Sequence, residues 1–137
     1  MRYLCIDYGQ KRTGLAICDA GEMIASPLKV LTVAQSELIA CIADIINREK
    51  VEAVVLGLPL NMDGTAGHQV RRVQKFAAQM KEYIDIPIHF QDERLSSFDA
   101  EGKLAGIELT RKKKKKRLDA VAAASILQSF LEQKHRR

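Results

Sequence analysis

The 137-residue sequence has the length of one domain and, with 47% hydrophobic and 28% charged residues, the composition of an ordinary globular protein. No apolar run approaches the roughly 20 residues that a membrane span needs, and Asp7 and Lys11-Arg12 interrupt the N-terminus where a signal peptide would be apolar. These features predict a single cytoplasmic domain over residues 1–137, with no membrane partner. The net charge of +5 favours a polyanionic ligand without identifying it.

The N-terminal part of the chain predicts three strands joined by short turns. An apolar run at residues 4–6 ends in Asp7 and a glycine-bounded turn, which is typical of a buried strand. Residues 14–19 and 23–31 predict the next two strands, and Pro27 indicates that the third is an edge strand or carries a bulge. Because the connections are short, the three strands are predicted to form an antiparallel meander.

Helices and strands then alternate along the rest of the chain. Thr32 and Gln35 have the spacing of a capping box, which predicts a helix that extends to about Lys50. The later elements are predicted as a strand at 51–57, a helix at 66–83, a strand at 86–90, a short helix capped by Ser96-Ser97 and ending near Gly106, a basic loop at 111–117 and a last helix at 118–134. This order predicts an α/β fold in which a five-stranded mixed sheet carries helices on both faces, with the spatial order of the strands left open.

Three acids occupy comparable positions in these predicted elements. Asp7 lies at the end of the first strand, Glu93 just past the fifth, and Asp119 in the first turn of the last helix. Asp119 shares a helical stripe with apolar residues, which predicts that its carboxylate faces the sheet; the alternative is a capping or helix-dipole role. For Asp7 the alternative is an Asx-type bond to the backbone of its own turn.

Asp92 and Glu93 compete for the position beside Asp7. Strand alternation puts the two acids on opposite sides of the fifth strand, so only one of them can join Asp7. The other is expected to form a surface salt bridge with Arg94. Spacing alone does not choose between them.

Converging carboxylates predict a metal-dependent reaction. Carboxylates in one cleft repel each other unless a divalent cation neutralises them, and Mg²⁺ or Mn²⁺ prefers oxygen ligands. Such ions can activate a water molecule to attack a phosphodiester bond. We therefore expect Asp7, Glu93 and Asp119 to be both the catalytic residues and the ligands of Mg²⁺ or Mn²⁺ in a hydrolase that cuts phosphodiester bonds.

The basic run at residues 111–117 stands immediately before Asp119. Its position favours contact with phosphates over the alternative of a merely solvated loop. Lys113, Lys114, Lys115 and Lys116 are the candidates from this run. Because the run contains no aromatic residue, recognition of the nucleic-acid backbone is more plausible than stacking on bases.

Several motifs in order along the chain resemble the YqgF (RuvX) family. The matching residues are Asp7-x-Gly9-x-Lys11-Arg12-x-Gly14, Gly57-Leu58-Pro59, Asn61-Met62-Asp63-Gly64, Asp92-Glu93-Arg94-Leu95-Ser96, and Asp119 followed by Ala122-Ala123 and Ile126-Leu127-Gln128. The resemblance covers nearly the whole chain and implies an RNase H-like fold. It also implies an acidic site at Asp7, Glu93 and Asp119, with Lys11, Arg12 and Arg94 at its rim as phosphate-binding candidates.

The resemblance further implies a nuclease that processes the 5′ end of the precursor of 16S ribosomal RNA. Structured RNA is then the expected partner, together with the small ribosomal subunit, and the chain could act as a monomer or a homodimer. Three alternatives remain. The first is cleavage of four-way DNA junctions, which needs two symmetric sites. The second is a nucleic-acid-binding module without catalysis. The third is an actin-like ATPase, which needs two domains where this chain has room for one.

Overall fold

The computed structural model describes residues 1–61, 63–95 and 111–136, and only the backbone of residues 95 and 111–118. The elements in chain order are β1 (Tyr3–Asp7), β2 (Thr13–Cys18), β3 (Ala25–Leu31), α1 (Gln35–Arg48), β4 (Ala53–Leu58), α2 (His68–Met80), β5 (Ile88–Asp92), a short 3-10 helix (Glu93–Leu95) and α3 (Arg111–His135). The predicted short helix from Ser96-Ser97 to Gly106 lies outside the described residues. No helix in the described ranges has the length and apolar character needed to cross a membrane.

The five strands form one mixed sheet in the order β3-β2-β1-β4-β5. The first three strands are the predicted antiparallel meander, and β1-β4 and β4-β5 pair in parallel. Strand β3 is at the edge, and its register against β2 shifts beside Pro27, so the expected edge and bulge both occur. Strand β1 therefore lies between an antiparallel and a parallel neighbour, and Asp7 ends it at this change of direction.

Helices cover both faces of the sheet, as the sequence predicts. On one face, the apolar stripes of α1 and α2 pack against β1 residues Leu4 and Ile6 and their neighbours. On the other face, α3 packs against the alternate β1 residues Tyr3 and Cys5. Because successive side chains of a strand point to opposite faces, the side chain of Asp7 belongs to the face that α3 covers.

Two local predictions are wrong. The run 111–117 is helical, not a loop, since α3 begins at Arg111, in keeping with the high helix propensity of Lys and Arg. Asp119 accordingly lies eight residues beyond the first residue of α3, which excludes the capping and N-terminal dipole role. The capping box is also absent: the N-cap residue of α1 is Ala34, whose methyl group cannot cap, and the Gln35 amide donates instead to the Gln10 carbonyl, 3.1 Å away.

Candidate active site

Asp7 and Glu93 meet on the α3 side of the sheet, at the carboxyl ends of β1 and β5. A hydrogen bond joins the two carboxyl groups. Burial, then the charge of Asp7, and then this hydrogen bond raise the pKa of Glu93 from 4.5 to about 8. Burial also raises the pKa of Asp7, against the effect of the hydrogen bond from Glu93. Burial and mutual repulsion therefore favour one proton shared in the hydrogen bond between the two carboxyl groups.

The structure separates the two competing acids at the end of β5. Asp92 accepts two bonds from the Arg94 guanidinium, at 2.8 Å from Nε and 2.7 Å from Nη2, and the pKa of Asp92 is lowered mainly by this contact. This is the surface ion pair expected for whichever acid does not join Asp7. Glu93 is the one that does.

Gly57 makes the room for Glu93. It is the register partner of Gln91 on the neighbouring strand. A Cβ atom at position 57 would lie 2.9 Å from Glu93 Cδ, closer than real Cβ atoms approach a neighbour, and 3.0 Å from Ile126 Cδ1, tighter than most real contacts. The glycine is part of the Gly-Leu-Pro motif, but nothing in the sequence pattern indicates that Glu93 fills the space above it.

Asp119 reaches the site because α3 packs directly onto β2. Gly14 is the register partner of Asp7, and a Cβ atom on Gly14 would lie 2.1 Å from the carbonyl oxygen of Asp119. The helix can approach this closely only over a residue with no side chain. The charge of Asp119 raises the pKa of Asp7, which places the third acid within electrostatic reach of the pair. Its carboxylate accepts a bond from Arg12 Nε at 2.6 Å.

The Asp7–Glu93 pair fits a hard divalent cation, because it offers two sequestered oxygen ligands whose mutual repulsion a cation would remove. Among the residues that the structure describes, no group of three His, Cys, Asp or Glu side chains is arranged to hold a metal ion. Arg12 holds the Asp119 carboxylate in this structure, and the role of Asp119 as a third ligand stays a prediction.

The predicted phosphate-binding residues have different surroundings. Lys11 is exposed in the loop between β1 and β2, whereas Arg12 is paired with Asp119. Arg94 is paired with Asp92 and lies beside Gly64 of the loop that follows β4. The side chains of Lys113, Lys114, Lys115 and Lys116 lie outside the described part of the chain, although the backbone that carries them is helical.

The family model described as "RuvX: Holliday junction resolvase" matches residues 1–133. The chain belongs to the RuvX family. Two RuvX relatives carry the name "Putative pre-16S rRNA nuclease". The one from Maridesulfovibrio salexigens is 43% identical over 132 residues, which cover 96% of this chain and 98% of the relative. The one from Roseiflexus sp. is 39% identical over 132 residues, which cover 96% and 94%.

The RuvX chain also shares its fold with solved resolvase structures. T. thermophilus RuvC, in complex with a Holliday junction substrate, has a TM-score of 0.60 at 16% identity and covers 98% of this chain and 96% of its own. Fowlpox virus resolvase, in complex with Holliday junction DNA, has a TM-score of 0.60 at 13% identity, with coverages of 97% and 98%. At these identities the likeness establishes the RNase H-like fold of the resolvases and nothing finer.

Proposed function

We propose that this RuvX chain is a metal-dependent endonuclease that cuts structured RNA and matures the 5′ end of pre-16S rRNA in the cytoplasm. The observation that carries the proposal is the Asp7–Glu93 carboxyl pair, which lies at the carboxyl ends of two strands of one sheet with Asp119 nearby. The names of the RuvX relatives support the substrate. Residues 1–137 are proposed to form one nuclease domain, since every described strand belongs to the same sheet.

In this proposal Asp7 and Glu93 are the residues that hold Mg²⁺ or Mn²⁺. The cation would supply charge neutralisation and activation of water for phosphodiester hydrolysis. Glu93 has to lose its proton for both carboxylates to become ligands. Asp119 has to exchange Arg12 for the cation if it is to act as a third ligand, and Arg12 is then available to a substrate phosphate.

Replacement of Asp7 by Asn tests the proposal. The change keeps the size of the side chain and removes its charge, so we expect a folded protein that does not cut. The matched control is Asp92→Asn, which removes an acid from the other side of β5 and should leave cleavage intact. Both variants and the wild type would be incubated with precursor 16S RNA and with a four-way DNA junction, each with Mn²⁺ or EDTA.

The outcomes separate the candidate functions. Cleavage of the precursor RNA by the wild type, lost in Asp7→Asn and in EDTA, supports the proposal. Preferential cleavage of the junction would instead favour a resolvase, as the description of the family model suggests. Wild-type rates in Asp7→Asn would refute the role of the acid pair. Salt-sensitive binding with no cleavage of either substrate would favour a binding module without catalysis.

A further inference from the structure

The outward face of α2 carries basic residues that the acid site does not use. The helix buries Val70, Val73, Phe76, Ala77 and Met80 against the sheet. Arg71, Arg72 and Lys75 lie on the opposite side and are exposed. The thirteen residues of α2 include no acid, so this face has a uniform positive charge. We call these three residues the α2 basic face.

Within the described part of the chain, the cations of the α2 basic face differ from several arginines in having no acidic partner. Arg12, Arg48 and Arg94 each form an ion pair with an aspartate. Within the described ranges, no ion pair joins Arg71, Arg72 or Lys75 to a carboxylate. Like charges on neighbouring turns of a helix destabilise it slightly, so an unbalanced face has a structural cost that a bound polyanion would offset.

Two contacts join α2 to the chain that follows Asp7. Tyr8, which follows Asp7 directly, stacks on Phe76 of α2 with the ring centroids 4.2 Å apart and an interplanar angle of 11°. Gln10, with its amide turned so that the oxygen faces α2, accepts from the Arg72 guanidinium. The same loop carries the exposed Lys11. Lys11 and the α2 basic face therefore flank the loop that follows Asp7, with α2 on the sheet face opposite to the acid pair.

The chemistry of this surface indicates phosphates rather than bases. Stacking on bases requires exposed aromatic rings, and here Phe76 is 3% exposed and the Tyr8 ring is stacked on it. Arg71 and Lys75 are one helical turn apart on a rigid element, which gives the charges a fixed spacing. A nucleic-acid duplex presents its phosphates in fixed rows, whereas a flexible single strand does not.

We propose that the α2 basic face, with Lys11, binds the phosphate backbone of a double-stranded arm of the substrate while the segment to be cut occupies the acid pair. This inference rests on the proposed function, because it names the part of the substrate that lies outside the cleaved segment. It also predicts a preference for structured RNA, since an unpaired strand would contact the acid site without engaging α2.

The test measures binding without cleavage, so that its failure is distinguishable from failure of the proposed nuclease. Full-length Arg71→Gln/Lys75→Gln would be titrated in EDTA against a fluorescein-labelled RNA hairpin and against an unpaired RNA strand of the same length, over a series of salt concentrations. Arg72 is left in place because it contacts Gln10. The matched control is Lys29→Gln/Lys50→Gln, which removes the same charge from exposed positions elsewhere. Circular dichroism would confirm that both proteins fold.

We expect the α2 variant to bind the hairpin about tenfold more weakly than the wild type and to lower the slope of log affinity against log salt by about 1 to 2. The control pair should change neither quantity as much. If both double variants lost the same hairpin affinity, the effect would be one of net charge alone, and the proposal would be overturned. Unchanged hairpin binding, or a loss confined to the unpaired strand, would also overturn it.

Discussion

Replacement of Glu93 by Gln should stabilise the metal-free protein at alkaline pH. The pKa of Glu93 is raised from 4.5 to about 8, so the folded protein holds this proton more tightly than the unfolded chain does. The free energy of unfolding of the wild type must therefore fall as the pH rises from about 4.5 to about 8. The glutamine amide of the variant would still donate a hydrogen bond to Asp7 but cannot ionise, so the variant should lack this loss.

The size of the effect follows from the same pKa. A rise from 4.5 to about 8 corresponds to about 5 kcal/mol at about 1.4 kcal/mol per unit, which is an upper bound for the cost of ionising Glu93 beside Asp7. The two acids titrate together and the site can relax around the charge. We therefore expect the variant to gain about 1–3 kcal/mol relative to the wild type between about pH 5 and about pH 8.

Urea denaturation in EDTA at about pH 5 and about pH 8 measures this difference. Added Mg²⁺ should then stabilise the wild type at the higher pH more than the variant, because the variant has one anionic ligand fewer. Asp19→Asn is the control: hydrogen bonds from backbone N–H groups lower the pKa of Asp19, so its contribution to stability is present above the ordinary pKa of 3.8 and is lost as the pH falls. Parallel pH profiles for Glu93→Gln and the wild type would refute the reasoning.

Three further substitutions test the surroundings of the acid pair. Arg12→Gln should lower the free energy of unfolding in EDTA by less than about 1 kcal/mol, since the Arg12–Asp119 ion pair is partly exposed. It should also increase the thermal stabilisation by Mg²⁺, because Asp119 is released from Arg12. An unchanged Mg²⁺ response would contradict this. Gly14→Ala should lower the free energy of unfolding, measured by urea denaturation, by about 2–3 kcal/mol and should abolish cleavage. The reason is that its Cβ would lie 2.1 Å from the Asp119 carbonyl oxygen, so α3 would have to move. Near-wild-type cleavage would show that α3 tolerates displacement. Gly57→Ala should reduce cleavage more than stability, since the flexible Glu93 side chain can yield to a Cβ at 2.9 Å; equal rates for the wild type and the variant would remove the role of Gly57.

Much of the fold could be predicted because local patterns and tertiary packing agree. The alternation that assigns Leu4 and Ile6 to one face and Tyr3 and Cys5 to the other also fixes the direction of Asp7. The apolar stripe that begins at Asp119 likewise predicts that this residue lies over the sheet, and α3 does pack there.

The remaining features depend on contacts between distant segments. Gln35 has the spacing of a cap, but its amide bonds the loop after β1 instead. The choice of Glu93 over Asp92 follows from the space above Gly57 and from the Arg94 side chain, and neither produces a periodic signal. The partner of Asp119 is Arg12, 107 residues away, which no spacing rule connects.

The position of β1 at the centre of the sheet affects how the site can be controlled. Asp7 terminates a strand with ladders on both sides, and the α3 backbone rests against its register partner Gly14. Separating these segments would expose most of one hydrophobic layer, an opening that costs nearly as much as global unfolding. Local fluctuation of β1 therefore cannot displace Asp7, and changes in the acid geometry have to come from the Glu93 side chain or from the Arg12–Asp119 pair.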